Sequence, residues 1–175
     1  MKIVLATPLY PPDIAQPAPY VKELARRLAE THQVTIVTYG RLPEQVPGVT
    51  IIAVDKRRPL LPRLWSYRRA LRHAARTSDV VYAQNGPSVE LPLLFVSARK
   101  VFHIADVRAH AYASRHFLRG VLEWLVSRSV PLVKEMPSPK PEILPFAPRP
   151  EEALAKWDEE WKNHIDSLNT MFHAR

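Results

Sequence analysis

Hydrophobic positions in the first two-thirds of the chain fall into two kinds of run that take turns. Residues 2–7 (KIVLAT) form a short, unalternating apolar run ended by Pro8, the pattern of a strand buried on both faces. Residues 8–19 hold five prolines. Proline has no N–H to donate and disfavours helix at the residue before it, so this stretch is a loop. Over 20–30, Val21, Leu24, Ala25 and Leu28 share a stripe with Lys22, Glu23, Arg26 and Arg27 outside it, which predicts an amphipathic helix. Further strands are predicted over 33–39 (QVTIVTY, closed by Gly40), 49–54 (VTIIAV, after the Pro47-Gly48 turn), 79–84 (DVVYAQ) and 100–105 (KVFHIA). Helices are predicted over 64–77 and 89–98. In the first of these, Leu64, Leu71 and Ala75 point inward and Arg68, Arg72 and Arg76 outward.

Strands of this kind alternating with helices predict an α/β fold: a single Rossmann-like, doubly wound parallel sheet with helices on both faces. Such a fold places its ligand site in the loops at the carboxyl ends of the strands, here 8–19, 85–88 and 106–114. The pattern then changes. A helix is predicted over 117–128, and residues 131–150 hold seven prolines with room for one short strand (LVKEM). From 150 to 172, Leu154, Trp157, Trp161, Ile165, Leu168 and Phe172 recur every three or four residues, predicting a long amphipathic C-terminal helix. The expected organisation is a Rossmann-like domain over 1–130, a proline-rich connector over 131–150, and a helix over 151–175. That helix is expected to pack back on the domain, with a partner subunit as the alternative surface.

Composition narrows the chemistry. The 175 residues include no cysteine, which removes disulfides, thiolate nucleophiles and cysteine-bound zinc. No P-loop, dinucleotide or nucleophile-elbow motif occurs, and the seven histidines show no metal-binding spacing, so no cofactor or metal is expected. The amino terminus lacks a signal-peptide cleavage pattern and no apolar run is long enough to span a bilayer, which predicts a cytoplasmic protein. The net charge is +8, and residues 56–76 alone carry eight basic residues and no acidic one. Arg68, Arg72 and Arg76 fall on one stripe there, with Leu64 and Trp65 nearby. Such a stripe is either a solvated basic face or a surface for an anionic membrane, in which case the protein is peripheral at the membrane. Nucleic acid is the weakest of the options, since no recognition motif accompanies the charge.

The opening MKIVLATPLYPPDIAQPAPYVKELARRLAETHQVTIVTYG resembles the start of GT-B glycosyltransferases of the family-4 type: first strand, YPP loop, YVKELARRL helix and second strand. DVVYAQNGPSVELP is similar to a strand and turn of the same group, and KVFHIADVRAHAY falls where those enzymes carry a strand ending near a catalytic or acceptor-facing residue. The likeness covers about residues 1–115. It implies a sugar-transfer role, with Asp106 or His103 as the base on an acceptor hydroxyl and His110 nearby in the loop. The same residues read without the resemblance are polar groups at a strand end. Tyr10 and Asp13 are expected to face the cleft, although Asp13 equally suits a loop-ordering role. Ala15 and Gln16 stand where the family usually carries a Gly-Gly pair, adding bulk where glycine would allow close approach. In Asn85-Gly86-Pro87-Ser88, Ser88 can cap the next helix, or the helix's free N–H groups can hold a phosphate.

A complete GT-B enzyme has a second Rossmann-like domain that supplies most of the nucleotide-sugar pocket, and 175 residues leave no room for it. The expectation is therefore an acceptor-side domain, inactive alone, that takes a nucleotide sugar only when a donor-binding partner chain or a homodimer completes the cleft. The alternative is a non-catalytic binding module for a glycan, an anionic lipid head group or a protein.

Overall fold

A computed structural model describes residues 1–14, 17–84, 86–97, 101–104, 121 and 151–174. Five strands, β1 (Lys2–Ala6), β2 (Gln33–Tyr39), β3 (Val49–Val54), β4 (Val80–Gln84) and β5 (Val101–Ile104), form one sheet. Their order is β3-β2-β1-β4-β5, and every neighbouring pair is parallel. The helices are α1 (Ala18–Leu28), α2 (Leu60–Ala75), α3 (Pro87–Leu93) and α4 (Glu151–His173). The α/β expectation therefore holds. The chain begins mid-sheet, moves outward through β2 and β3, then crosses β1 to lay down β4 and β5. Connections leave β1 and β4 in opposite directions, which opens a crevice between their carboxyl ends.

The period of two along each strand sorts the core into two layers. Ile3 and Leu5 of β1, Val34 and Ile36 of β2, and Val80 and Tyr82 of β4 face α1 and α4. Val4 and Ala6, Val37 and Tyr39, and Val81 and Ala83 face α2 and α3. All are buried, which is why these strands read as continuous apolar runs.

Helix α4 closes the first layer. Trp157, Trp161, Leu168 and Phe172 are buried against α1 and the sheet, with Trp161 stacked on Tyr20 at 5.6 Å between ring centroids. The guanidinium of Arg27 lies 5.0 Å from the ring centre of Trp157 and 5.4 Å from that of Trp161, while pairing with Glu23 and Asp158. Its charge is thus matched on both helices at once. Beneath it, the hydroxyl of Tyr20 lies 3.2 Å from that of Tyr82 and 2.8 Å from Nε2 of His164. A chain in which Tyr82 donates to Tyr20 and Tyr20 donates to a neutral imidazole satisfies all three groups. Burial pushes the His164 imidazole down to about 4, which keeps it neutral and able to accept.

Three helices depart from the expected bounds, each because of a proline. Helix α1 begins at Ala18, taking Pro19 into its first turn, and α2 begins at Leu60, taking Pro62 into its own. Neither position needs an N–H donor, so proline is tolerated at both. Extending α2 backward makes Tyr67, with Leu71 and Ala75, its buried stripe, while Leu64 is only half-buried. Helix α3 ends at Leu93 instead of reaching 98 and contains Pro92. The helix expected over 117–128 lies outside the described residues except for Val121, which is helical and exposed, and residues 131–150 lie wholly outside them.

Candidate functional site

The crevice is built where two apolar strands end in polar residues. Thr7 follows β1 and Gln84 closes β4, and both are buried. The Thr7 hydroxyl donates to the Leu9 carbonyl at 2.7 Å and lies 3.2 Å from the Gln84 side-chain oxygen. The Leu9 N–H donates back to the same hydroxyl at 3.3 Å. These bonds bend the chain sharply into the first loop.

The other wall is Gly86. It stands before α3 with φ 150°, a conformation that side chains rarely adopt, and a Cβ there would touch Pro8 at 3.4 Å. The loop after β1 and the turn after β4 therefore lie directly against each other. Ser88 does not cap α3, since Gly86 holds the cap position without a side-chain bond. Its backbone carbonyl instead accepts from the Tyr39 hydroxyl at 2.7 Å. The reason is Pro92: four residues on, it has no N–H to offer Ser88, and Tyr39 takes the vacant acceptor. With seven residues, α3 is also too short to act as an anion site at its amino end.

Below the crevice, Tyr39 and Tyr67 stack at 4.3 Å, and Tyr67 donates to the Val37 carbonyl at 3.0 Å. Burial raises both phenols above their usual range, so they remain neutral donors. Arg63 lies over Tyr39, its guanidinium 5.9 Å from the ring centre.

The first loop is tied down on two sides. Asp13 pairs with Lys56, at the start of the segment leading to α2, and Glu44 donates its backbone N–H to the Pro11 carbonyl at 3.1 Å while pairing with Lys22. Asp13 thus has its loop-ordering role. Tyr10 does not face the cleft: it is 1% exposed, packed in the layer under α1 and α4. Burial, reinforced by the negative charge of Glu44, pushes its phenol up to about 12. Between loop and α1 lies an open hollow of about 370 Å³, with Pro12, Asp13, Ile14, Lys22, Glu23 and Glu44 in its walls. Glu23 stays charged there. Burial opposes the charge, but hydrogen bonds from Arg26 and Arg27 outweigh it and hold the carboxyl below its usual range.

Of the remaining expected residues, His103 lies in β5 opposite Ala83, and Ile104 lies opposite Gln84, so β5 ends level with β4 beside the crevice. Ala15, Gln16, Asn85, Asp106 and His110 lie outside the described residues. Among the described residues no group of three or more metal-ligating side chains forms. Arg72 and Arg76 are exposed as expected, but Arg68 is not a solvated cation: its guanidinium lies 4.9 Å from the ring centres of both Trp65 and Phe95. Thr7 and Gln84 were not singled out by sequence, and Lys56 was read only as part of the basic segment, not as the partner of Asp13. The signal for the first two was a polar residue closing each of two apolar runs, which acquires meaning only once those strands are neighbours.

Fold and crevice together define a Rossmann-like α/β protein whose first loop and β4 turn meet at the switch point of the sheet. No protein-family model matches the sequence, and no curated protein matches it.

Proposed function

We propose that this chain supplies the acceptor side of a GT-B type glycosyl-transfer site, with the nucleotide sugar held by a separate donor-binding half. The observation that carries this reading is the meeting of the YPP loop and the NGP turn at the β1/β4 crevice, with Gly86 against Pro8. These are two of the segments that resemble the glycosyltransferases. The buried Thr7–Gln84 contact ties the ends of β1 and β4 together beneath that meeting point. In this role Asp106 or His103 is the base that takes the acceptor hydroxyl's proton.

The Asp13–Lys56 pair and the burial of Tyr10 favour a second reading, a non-catalytic glycan-binding module, because two expected acceptor contacts are otherwise engaged. Calorimetric titration separates the two. Free sugars and sugar phosphates are expected to bind the purified chain, and Gly86→Ala to weaken them, while nucleotide sugars alone give no heat. If transfer then appears with an added donor-binding half and vanishes in Asp106→Ala and His103→Ala together, the enzyme reading stands. Binding without transfer leaves the module. Silence from every sugar and sugar phosphate sinks both.

A further inference from the structure

Helices α2 and α3 leave an open groove of about 630 Å³ between them, floored by Leu64 and Pro92 and flanked by Leu61, Trp65, Leu91 and Phe95. Three of these are large apolar side chains held in water: Leu61 is 78% exposed, Trp65 63% and Phe95 60%. Leu61, Trp65, Arg68, Arg72 and Arg76 follow one another at helical spacing, so the apolar end of α2 grades into a basic stripe. Arg57 and Arg58 stand exposed just before the helix.

Among the described residues the charges around this groove are largely unmatched. Of the eight basic residues from Lys56 to Arg76, only Lys56 forms an ion pair among the described residues. The Nε of Arg68 is buried and meets no acceptor among them. The three cations of α1, Lys22, Arg26 and Arg27, each have a carboxylate. A self-association through this face would bring arginines against arginines. The chain's own residues 105–150 carry seven Lys and Arg against four Asp and Glu, so they offer the same sign of charge.

We propose that the α2–α3 groove is a docking surface for an anionic lipid bilayer. Leu61, Trp65 and Phe95 enter the headgroup–acyl boundary, and the exposed Arg57, Arg58, Arg72 and Arg76 meet lipid phosphates around them. Burial of apolar side chains and attraction of cations to anionic lipid act together at such a surface, and neither suffices alone. No helix among the described residues is long and apolar enough to cross a membrane, so the contact is peripheral. This inference does not depend on sugar transfer.

The test is flotation of the full chain with phosphatidylcholine vesicles and with vesicles containing roughly one-third phosphatidylglycerol, at low and high salt. Binding to the anionic vesicles alone, weakened by salt, is expected. Arg57→Ala with Arg58→Ala should weaken it about fivefold per charge, and Leu61→Ser with Trp65→Ser by about tenfold or more. As a second readout, Trp65 emission should shift to the blue on anionic vesicles, and the shift should be lost in Trp65→Phe while binding persists. Equal binding to neutral vesicles, no binding, or binding unchanged by the alanine and serine substitutions overturns the proposal. So does a salt-sensitive preference for RNA over the vesicles, or a dimer that Leu61→Ser dissociates.

Discussion

The two faces of the sheet are closed by different means. On one, α4 lays two tryptophans, a leucine and a phenylalanine over α1, and the cations of α1 are matched by carboxylates from α1, α4 and the loop before β3. On the other, α2 and α3 cover the strands with Tyr67, Leu71, Val89 and Leu93, then stop short, leaving a groove with exposed apolar walls and arginines that find no carboxylate among the described residues. Both layers bury the strands equally well. The difference lies in the outer surface of the helices, where folding no longer dictates the choice of side chain. Matched charge and buried tryptophan mark a surface whose partner is already in the chain. Unmatched charge beside exposed tryptophan is what the described residues leave on the other face.

The sharpest way to break this contrast is to remove a tryptophan from the closed face. Trp161→Ala takes away a fully buried ring that meets Tyr20, Trp157, His164 and the Arg27 guanidinium. Large-to-small changes at such sites cost about 3–5 kcal/mol. Denaturant unfolding followed by circular dichroism should show the unfolding free energy fall by that amount. A loss under about 1 kcal/mol would mean that α4 does not hold the closed face together.

Acid should weaken the same face. His164 is held near 4 in the folded protein against 6.5 for a free imidazole, so the folded state refuses a proton that the unfolded chain accepts. The resulting stability is full above pH 6.5 and is lost progressively as pH falls toward 4, by about 3 kcal/mol in all. His164→Gln keeps an acceptor for the Tyr20 hydroxyl and removes the titrating group. Its unfolding free energy should be flatter than that of the wild type across this window. Equal slopes for the two proteins would assign the acid sensitivity to other groups.

Much of this was legible in the sequence, and the reason is geometric. Ile3, Val4, Leu5 and Ala6 read as one apolar run because both of their faces are covered, which is what a central parallel strand requires. Helix α4 was legible because its stripe, from Leu154 to Phe172, repeats over about five turns. The crevice was legible only in outline. Loops 8–19, 85–88 and 106–114 were expected at the carboxyl edge, but Tyr10 turns inward, and an aromatic residue between prolines gives no period from which its direction could be read. Nor does local sequence show that Pro92 would free the Ser88 carbonyl for Tyr39, a partner 49 residues away. Arg68 was misread for a similar reason. Its helical position is outward, but the neighbouring α3 brings Phe95 beside it, so the cation lies between two rings.

Between the two faces, at the crevice, Gly86→Ala should have an intermediate effect. The strain is in the backbone, because φ 150° suits glycine alone, while the nearest atom to a new Cβ would be Pro8 Cγ at an ordinary 3.4 Å. A cost of about 1–3 kcal/mol is expected in thermal unfolding. Relief of the strain by rotation of the turn would carry α3 away from Pro8. Pro8→Ala offers a control, since it opens the same contact without touching φ at position 86 and should leave stability closer to the wild type.

The smallest expected effect lies on the open face. Trp65 has the same side chain as Trp161, but 63% of it is exposed, and its described ring contact is with the guanidinium of Arg68 at 4.9 Å. An exposed contact of that kind is worth about 0.5 kcal/mol, and little apolar area is lost from the interior, so Trp65→Ala should leave the unfolding midpoint nearly unchanged. The comparison with Trp161→Ala then isolates environment from residue type. An unchanged midpoint would show that the fold does not depend on this tryptophan, which leaves its ring free for the bilayer contact proposed above. If Trp65→Ala instead destabilises the protein as much as Trp161→Ala does, the open groove is filled in solution by the chain itself, and the two faces are closed alike.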